Sequence, residues 1–200
     1  MKIILSTRNP SKALQIKTLF KGSNIEILTL DQAGIEGEVI EDGATLNENA
    51  LKKARFAYEQ AGGNVWTMAD DTGLFINALG GQPGIKAARW AGETATTEEI
   101  TLHTLKSLQG KSDRSATFGT VVAIISPEGK EYVFGGECSG MLLDTPRVAP
   151  QPKMPYSPLF VPDGSHKVWG EMSVEEENSI SHRGKAFGLA RNFLETQAAL

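Results

Sequence analysis

The chain has 200 residues, of which 40% are hydrophobic and 22% charged; this suits one domain, or at most two lobes sharing a core, and excludes intrinsic disorder as the main state. Twenty Lys plus Arg against 24 Asp plus Glu leave a net charge of -4, so there is no global basic field for a nucleic-acid polymer or an anionic membrane surface, and a nucleotide must be met by a local basic site. A single cysteine, Cys138, and the lack of any run approaching ~18 apolar residues exclude an internal disulfide, a cysteine metal cluster and a membrane-spanning helix, leaving the cytoplasm as the expected compartment.

Lys2 to Ser6 reads as a buried strand, and Ser11 to Lys21 carries Ala13, Ile16, Leu19 and Phe20 at helical spacing, an α/β opening. Between them Ser6-Thr7-Arg8-Asn9-Pro10-Ser11-Lys12 leads into a helix N-terminus, where free N–H groups and the helix dipole favour an anion. The loop is either a phosphate cradle or an ordinary capped βα connection. Neither G-x-x-x-x-G-K-[ST] nor G-x-G-x-x-G occurs, which removes most support for P-loop and Rossmann chemistry. Ile25 to Thr29 is a second strand, followed by a polar loop to Asp42 that carries Glu36, Glu38 and Glu41. Thr45-x-x-Glu48 has the capping-box pattern; Leu46, Ala50, Ala54 and Ala57 then share one face of a helix running to about Ala61, with Asn49 and Lys53 on the opposite side.

Val65 to Ala69 reads as a short strand ending in Asp70-Asp71-Thr72-Gly73, with a further short strand at Leu74 to Ile76. Side-chain alternation sends the two carboxylates to opposite sides, so one of them is expected to face any given site. That carboxylate could hold Mg2+ or take a proton from water; alternatively, both acids satisfy turn N–H groups. Thr96-x-x-Glu99 starts another helix, and Ser115 to Ile125 and Glu131 to Leu143 are strands joined by a Ser126-Pro127-Glu128-Gly129 hairpin, which makes the sheet mixed. Six of nine prolines fall between Thr145 and Pro162, predicting an ordered loop or a mobile lid. Ser173-x-x-Glu176 opens a short helix, and Ser181 caps a last one carrying Ala186, Ala190, Phe193 and Leu194. At its start Ser181-His182-Arg183-Gly184 suits a phosphate or a keto-bearing base; the alternative is a plain N-cap with Arg183 in a surface ion pair. His103 and His166 lack metal-ligand partners at useful spacing, and Cys138 is expected to serve packing.

Five segments recur in the order of one enzyme family: Thr7-x-Asn9-x-x-Lys12, Glu48-Asn49-Ala50-x-x-Lys53-Ala54, Ala69-Asp70-Asp71-Thr72-Gly73-Leu74, Pro83-Gly84-Ile85-x-x-Ala88-Arg89 and Ser181-His182-Arg183-Gly184. Over essentially its whole length the sequence resembles the inosine/xanthosine triphosphate pyrophosphatases. The resemblance implies a homodimeric α/β protein, residues 1–200 forming one pyrophosphatase domain, with two lobes round a long mixed sheet flanked by helices and a cleft between them. It implies Mg2+-dependent hydrolysis of a nucleoside triphosphate such as ITP, dITP or XTP to monophosphate and pyrophosphate. On the same basis Thr7, Asn9, Lys12 and Lys53 contact phosphates, with Arg8 adding charge; Glu41 and Asp71 hold the metal; Asp71 is the general base; Thr72 contacts substrate; and His182 and Arg183 read the base.

The sequence departs from the family where the base belongs. Lys153-Met154-Pro155-Tyr156-Ser157-Pro158-Leu159-Phe160 stands in place of a segment resembling F-G-Y-D-P, so the aromatic that stacks on the base has become Met154 and the acid Ser157, with Tyr156 between them. Glu177 replaces a family lysine. Phosphate-side residues survive while base-side residues differ, which predicts a retained reaction with a shifted or broadened nucleobase preference. The alternatives are a pyrophosphatase of modified pyrimidine or other nucleotides, and a nucleotide-binding homologue without turnover.

Overall fold

A computed structural model describes residues 1–199. The elements are β1 (Lys2–Leu5), α1 (Pro10–Leu19), β2 (Glu26–Thr29), α2 (Leu46–Gln60), β3 (Trp66–Ile76), β4 (Pro83–Gly84), α3 (Thr97–Ser107), β5 (Ser115–Ile125), β6 (Glu131–Leu142), β7 (Phe160–Pro162), α4 (Val174–Ile180) and α5 (His182–Ala198). The strands form one mixed sheet in the order β2-β1-β3-β5-β6-β7, with β4 added to β3. β1 lies parallel to both β2 and β3, reached through the helical crossovers α1 and α2. Beyond β3 the pairing is antiparallel.

The helices cover both faces of the sheet. On one, Ile16 of α1 and Phe187, Ala190 and Leu194 of α5 pack on Ile3, Leu5, Met68 and Val122. On the other, Ala50 and Ala54 of α2 lie against Ala69 and Ala123. Small side chains on α2 let the helix approach so closely that buried Thr67 Oγ1 donates to the Ala54 carbonyl at 3.1 Å. Thr45 caps α2 by accepting from the Glu48 N–H, and Thr96 and Ser173 each complete a capping box.

Three expectations change. Val65–Ala69 and Leu74–Ile76 are parts of one strand: β3 pairs with β5 without a break from Thr67↔Ile125 to Ile76↔Ala116. The turn preference of Asp-Asp-Thr-Gly yields to this continuous ladder. Asn49 lies on the buried face of α2 beside Ala50 rather than opposite it. The proline-rich segment ends in an edge strand, where Pro162, opposite Gly140, needs no outward N–H partner.

The edge of β3 away from β5 positions the site. Pairing with β1 stops at Leu5↔Met68, and pairing with β4 begins at Leu74↔Gly84. Ala69 to Gly73 therefore lie between two neighbours, at a gap in the sheet where the parallel strand order reverses. Ligands of open α/β sheets collect at such a point.

Candidate active site

At the end of β1 the chain enters α1 through Ser6 to Asn9. Asn9 Oδ1 accepts from the Ser11 and Lys12 N–H groups at 3.0 and 3.2 Å, and Thr7 Oγ1 accepts from the Asn9 N–H at 3.2 Å. Two of the helix's first donors are thus taken by its own cap. What faces the gap is side-chain chemistry, above all Lys12. Arg8 also lines the cavity, and its guanidinium braces the acidic loop by donating to Asp31 and to the Ile35 and Gly37 carbonyls, both at 2.9 Å.

Asp70 and Asp71 extend from the free edge of β3 to opposite faces of the sheet. Lys12 donates to Asp70 at 2.8 Å, Thr72 Oγ1 donates to it at 3.3 Å, and Arg183 Nε is 3.7 Å away. Burial pushes the Asp70 carboxyl up, but Lys12, Arg183 and Lys53 outweigh burial and hold it well below the usual carboxylate range. On the other face Lys53 donates to Asp71 at 2.8 Å and to Glu41 at 3.3 Å, while Asn49 Nδ2 donates to Asp71 at 3.3 Å. Burial raises the Asp71 carboxyl above its ordinary value against the pull of Lys53. For Lys53 itself burial acts downward, but Asp71, Glu41 and Asp70 prevail and raise it. Lys12 is lowered by burial despite Asp70.

Glu41 is held in place from two directions. Arg89 Nη2 donates to its carbonyl at 2.7 Å, and Asn49 Oδ1 accepts from the Gly43 N–H at 2.8 Å. Among the described residues no three His, Cys, Asp or Glu side chains gather to hold a metal ion by themselves. Glu41 and Asp71, meeting on one Lys53 ammonium, nevertheless offer a two-carboxylate oxygen set. That suits Mg2+, which is commonly held by one or two carboxylates together with substrate phosphates.

The other end of the site is made at the α4–α5 corner. Ser181 ends α4 and caps α5, its Oγ accepting from the Gly184 N–H at 2.9 Å. A Cβ on Gly184 would overlap the Asn178 carbonyl, so only glycine lets the chain turn this tightly. The turn sends His182 and Arg183 inward, 3% and 2% exposed, which removes the surface ion-pair alternative for Arg183. Arg183 Nη1 donates to Gln15 Oε1 at 2.6 Å. His182 stacks on Phe118 at 4.7 Å and 14°, and burial, then Arg183, lower its pKa and favour the neutral ring. His182 Nδ1, Arg183 Nε and Trp169 Nε1 are buried without hydrogen-bond partners among the described residues.

The divergent segment roofs this end. Ser11 Oγ donates to the Pro152 carbonyl at 2.9 Å and Asn9 Nδ2 to the Lys153 carbonyl at 3.3 Å, joining the roof to the α1 loop. Tyr156 and Ser157 spend their hydroxyls on the fold: Tyr156 donates to the Ala87 carbonyl, and Ser157 donates to the Met154 carbonyl while accepting from the Gln151 N–H. All of the candidate site residues, including Thr7, Lys12, Glu41, Lys53, Thr72, Met154, Glu177 and Arg183, line one cavity of about 550 Å³. This is the size of a small-molecule pocket. Both Asp70 and Asp71 line it, because the cavity reaches round the free edge of β3 to both faces; the expectation that one of them faces the site does not hold.

Sequence reasoning left Asn49, Arg89, Gln15 and Trp169 without roles. Asn49 was detectable, since it sits one helical turn before Lys53. Arg89 ends a quoted motif. Gln15 and Trp169 carry no local signal; long-range packing alone sets Gln15 behind Arg183 and Trp169 against the cavity.

The sequence pattern of the Ham1 family matches residues 3–193. A dITP/XTP pyrophosphatase of Caldanaerobacter subterraneus subsp. tengcongensis is 44% identical over 188 residues, covering 93% of this chain and 92% of that protein. A second, of Thermoanaerobacter pseudethanolicus, is 43% identical over 196 residues, 97% of this chain and 96% of that one. The solved Ham1 protein of Staphylococcus aureus superposes with a TM-score of 0.82 at 31% identity, covering 98% of this chain and 100% of that one. A HAM1 protein from Coxiella burnetii gives 0.84 at 31% identity, covering 97% and 98%.

Proposed function

The chain belongs to the Ham1 family, and we propose that it hydrolyses noncanonical purine nucleoside triphosphates, of the ITP, dITP and XTP kind, to the monophosphate and pyrophosphate. One observation carries the reading: Lys12 on Asp70 and Lys53 on Asp71, from separate helices, line a single cavity together with His182 and Arg183, and Arg183 lies beside the Lys12–Asp70 pair. The ammonium groups suit a polyphosphate, and the buried donors of His182 and Arg183 suit a keto-bearing base.

Thr7, Asn9, Lys12 and Lys53 bind the phosphates, and Thr72 contacts the substrate. In the free protein the two ammonium groups are aimed into the gap by Asp70 and Asp71, so the site is preorganised before the anion arrives. Asp71 is the general base: it takes a proton from water as the water oxygen attacks the α-phosphorus and the bond to the bridging oxygen breaks, releasing pyrophosphate. Its raised pKa makes it the better base of the two neighbours, whereas Asp70 is too strongly paired to accept a proton. Glu41 and Asp71 would hold Mg2+, which supplies charge neutralisation to the triphosphate and the leaving group. Arg183 and His182 read the base.

Residues 1–200 are read as one pyrophosphatase domain, because the pairs that build the site join segments from Thr7 to Arg183. No described helix is long and apolar enough to cross a membrane; the cytoplasmic, homodimeric enzyme is part of this proposal and rests on the family.

A nucleotide panel with pyrophosphate detection, run with and without Mg2+, tests the reading. We expect turnover of ITP and dITP only with the metal, and a loss of about 10²- to 10⁴-fold in Asp71→Asn with an unchanged melting curve. A fully active Asp71→Asn protein, or silence toward every triphosphate, overturns it.

A further inference from the structure

The cavity wall at the α4–α5 corner carries a charge that the fold itself does not use. Glu177 is 6% exposed and lines the cavity. Its polar neighbours are Arg183 and Gln15, yet Arg183 Nη1 is directed to Gln15, Arg183 Nε has only the Asp70 carboxylate at 3.7 Å, and neither Arg183 Nε nor Gln15 Nε2 makes a hydrogen bond among the described residues. Burial outweighs Arg183 and then Gln15 and raises the Glu177 carboxyl above its ordinary value, as for a carboxylate short of donors. A buried carboxylate costs free energy unless donors satisfy it, and the open direction is the cavity.

We propose that Glu177 is a specificity-determining residue that accepts from the N1–H of an oxopurine and senses the substituent at position 2, so that hypoxanthine is preferred to xanthine. The inference rests on the pyrophosphatase reading. Arg183 can only donate, and an ionised carboxylate can only accept. Donor beside acceptor complements the adjacent 6-oxo and N1–H groups of an oxopurine; adenine presents the reverse order at both atoms. At position 2 hypoxanthine has a C–H, which the second carboxylate oxygen tolerates. Xanthine has an oxo group there, which sets acceptor against acceptor with no proton between them. Guanine has a donating amino group, so Glu177 itself raises no barrier to it.

Specificity constants for ITP, XTP and GTP, measured as pyrophosphate release, decide the matter for the wild type, Glu177→Gln and Glu177→Lys. We expect the wild type to favour ITP over XTP by about tenfold or more, the value of one well-placed polar pair. In Glu177→Gln the preference shrinks; in Glu177→Lys it reverses and the GTP-to-XTP ratio falls. An ITP-to-XTP ratio that stays within twofold across the wild type and the isosteric Glu177→Gln protein, with ITP turned over, sinks the inference and leaves the pyrophosphatase standing. Absence of all turnover removes the pyrophosphatase instead. Calorimetric affinities of IMP and XMP for the same two proteins then still decide the role of Glu177: a ratio that Glu177→Gln does not change overturns it.

Discussion

Asp70 and Asp71 are adjacent in sequence and opposite in electrostatics, because successive residues of β3 meet different cations. Asp70 faces Lys12 and Arg183, which hold its carboxyl well below the usual carboxylate range; Asp71, buried with one ammonium shared with Glu41, is raised above its ordinary value. His182 shows the same local control. Its folded pKa lies below that of the unfolded chain, because burial and Arg183 disfavour the imidazolium. Below about pH 6.5, the ordinary histidine value, the unfolded state binds a proton that the folded state refuses. The stability that neutral His182 contributes is therefore present above that pH and lost as pH falls through it, with a slope of up to about 1.4 kcal/mol per pH unit. Urea denaturation from pH 8 to pH 5 should show this slope, and His182→Gln should flatten it; identical slopes would mean that His182 is not refused its proton. Asp70 acts in a lower window: its contribution is present above the ordinary carboxylate pKa and lost as pH falls toward its depressed folded value.

At the scale of elements, glycines decide how closely strand and helix approach. A Cβ on Gly136 of β6 would overlap the His182 carbonyl, and one on Gly184 would overlap the Asn178 carbonyl. Both positions press the start of α5 against its neighbours and so hold His182 and Arg183 inside the cavity. We expect Gly184→Ala to destabilise the protein by about 1 to 3 kcal/mol, the usual cost of overpacking, and to lower the melting temperature. Gly188→Ala, on the same helix with nothing within 4 Å of its Cβ, is the control and should be neutral or mildly stabilising. Equal melting temperatures for the two variants would show that the corner is not tightly packed. Most elements were legible because their signals are local: Thr45, Thr96, Ser173 and Ser181 are caps, and alanines mark the inner face of α2. β3 reads as two pieces in the sequence because the partner that keeps it extended, β5, lies some 50 residues away in the chain.

For the whole molecule, core burial sets what reagents can reach. Cys138 on β6 is 6% exposed, and burial raises its thiol pKa, so a small aromatic disulfide should label the native protein only as fast as it opens and label the denatured protein at once. Immediate stoichiometric labelling of the native protein would contradict the packing at β6. The sequence by itself determined the α/β class, the caps, the five ordered segments and the candidate residues, because each is written in neighbouring residues or in a motif that needs no partner to be recognised. Tertiary structure alone decided that Arg8 braces the acidic loop, that both aspartates reach one cavity, that Gln15 holds Arg183 and that Trp169 lines the cavity. Those facts depend on which distant strands stop pairing and where, and a gap in a sheet is a property of contacts between segments, which no single segment encodes.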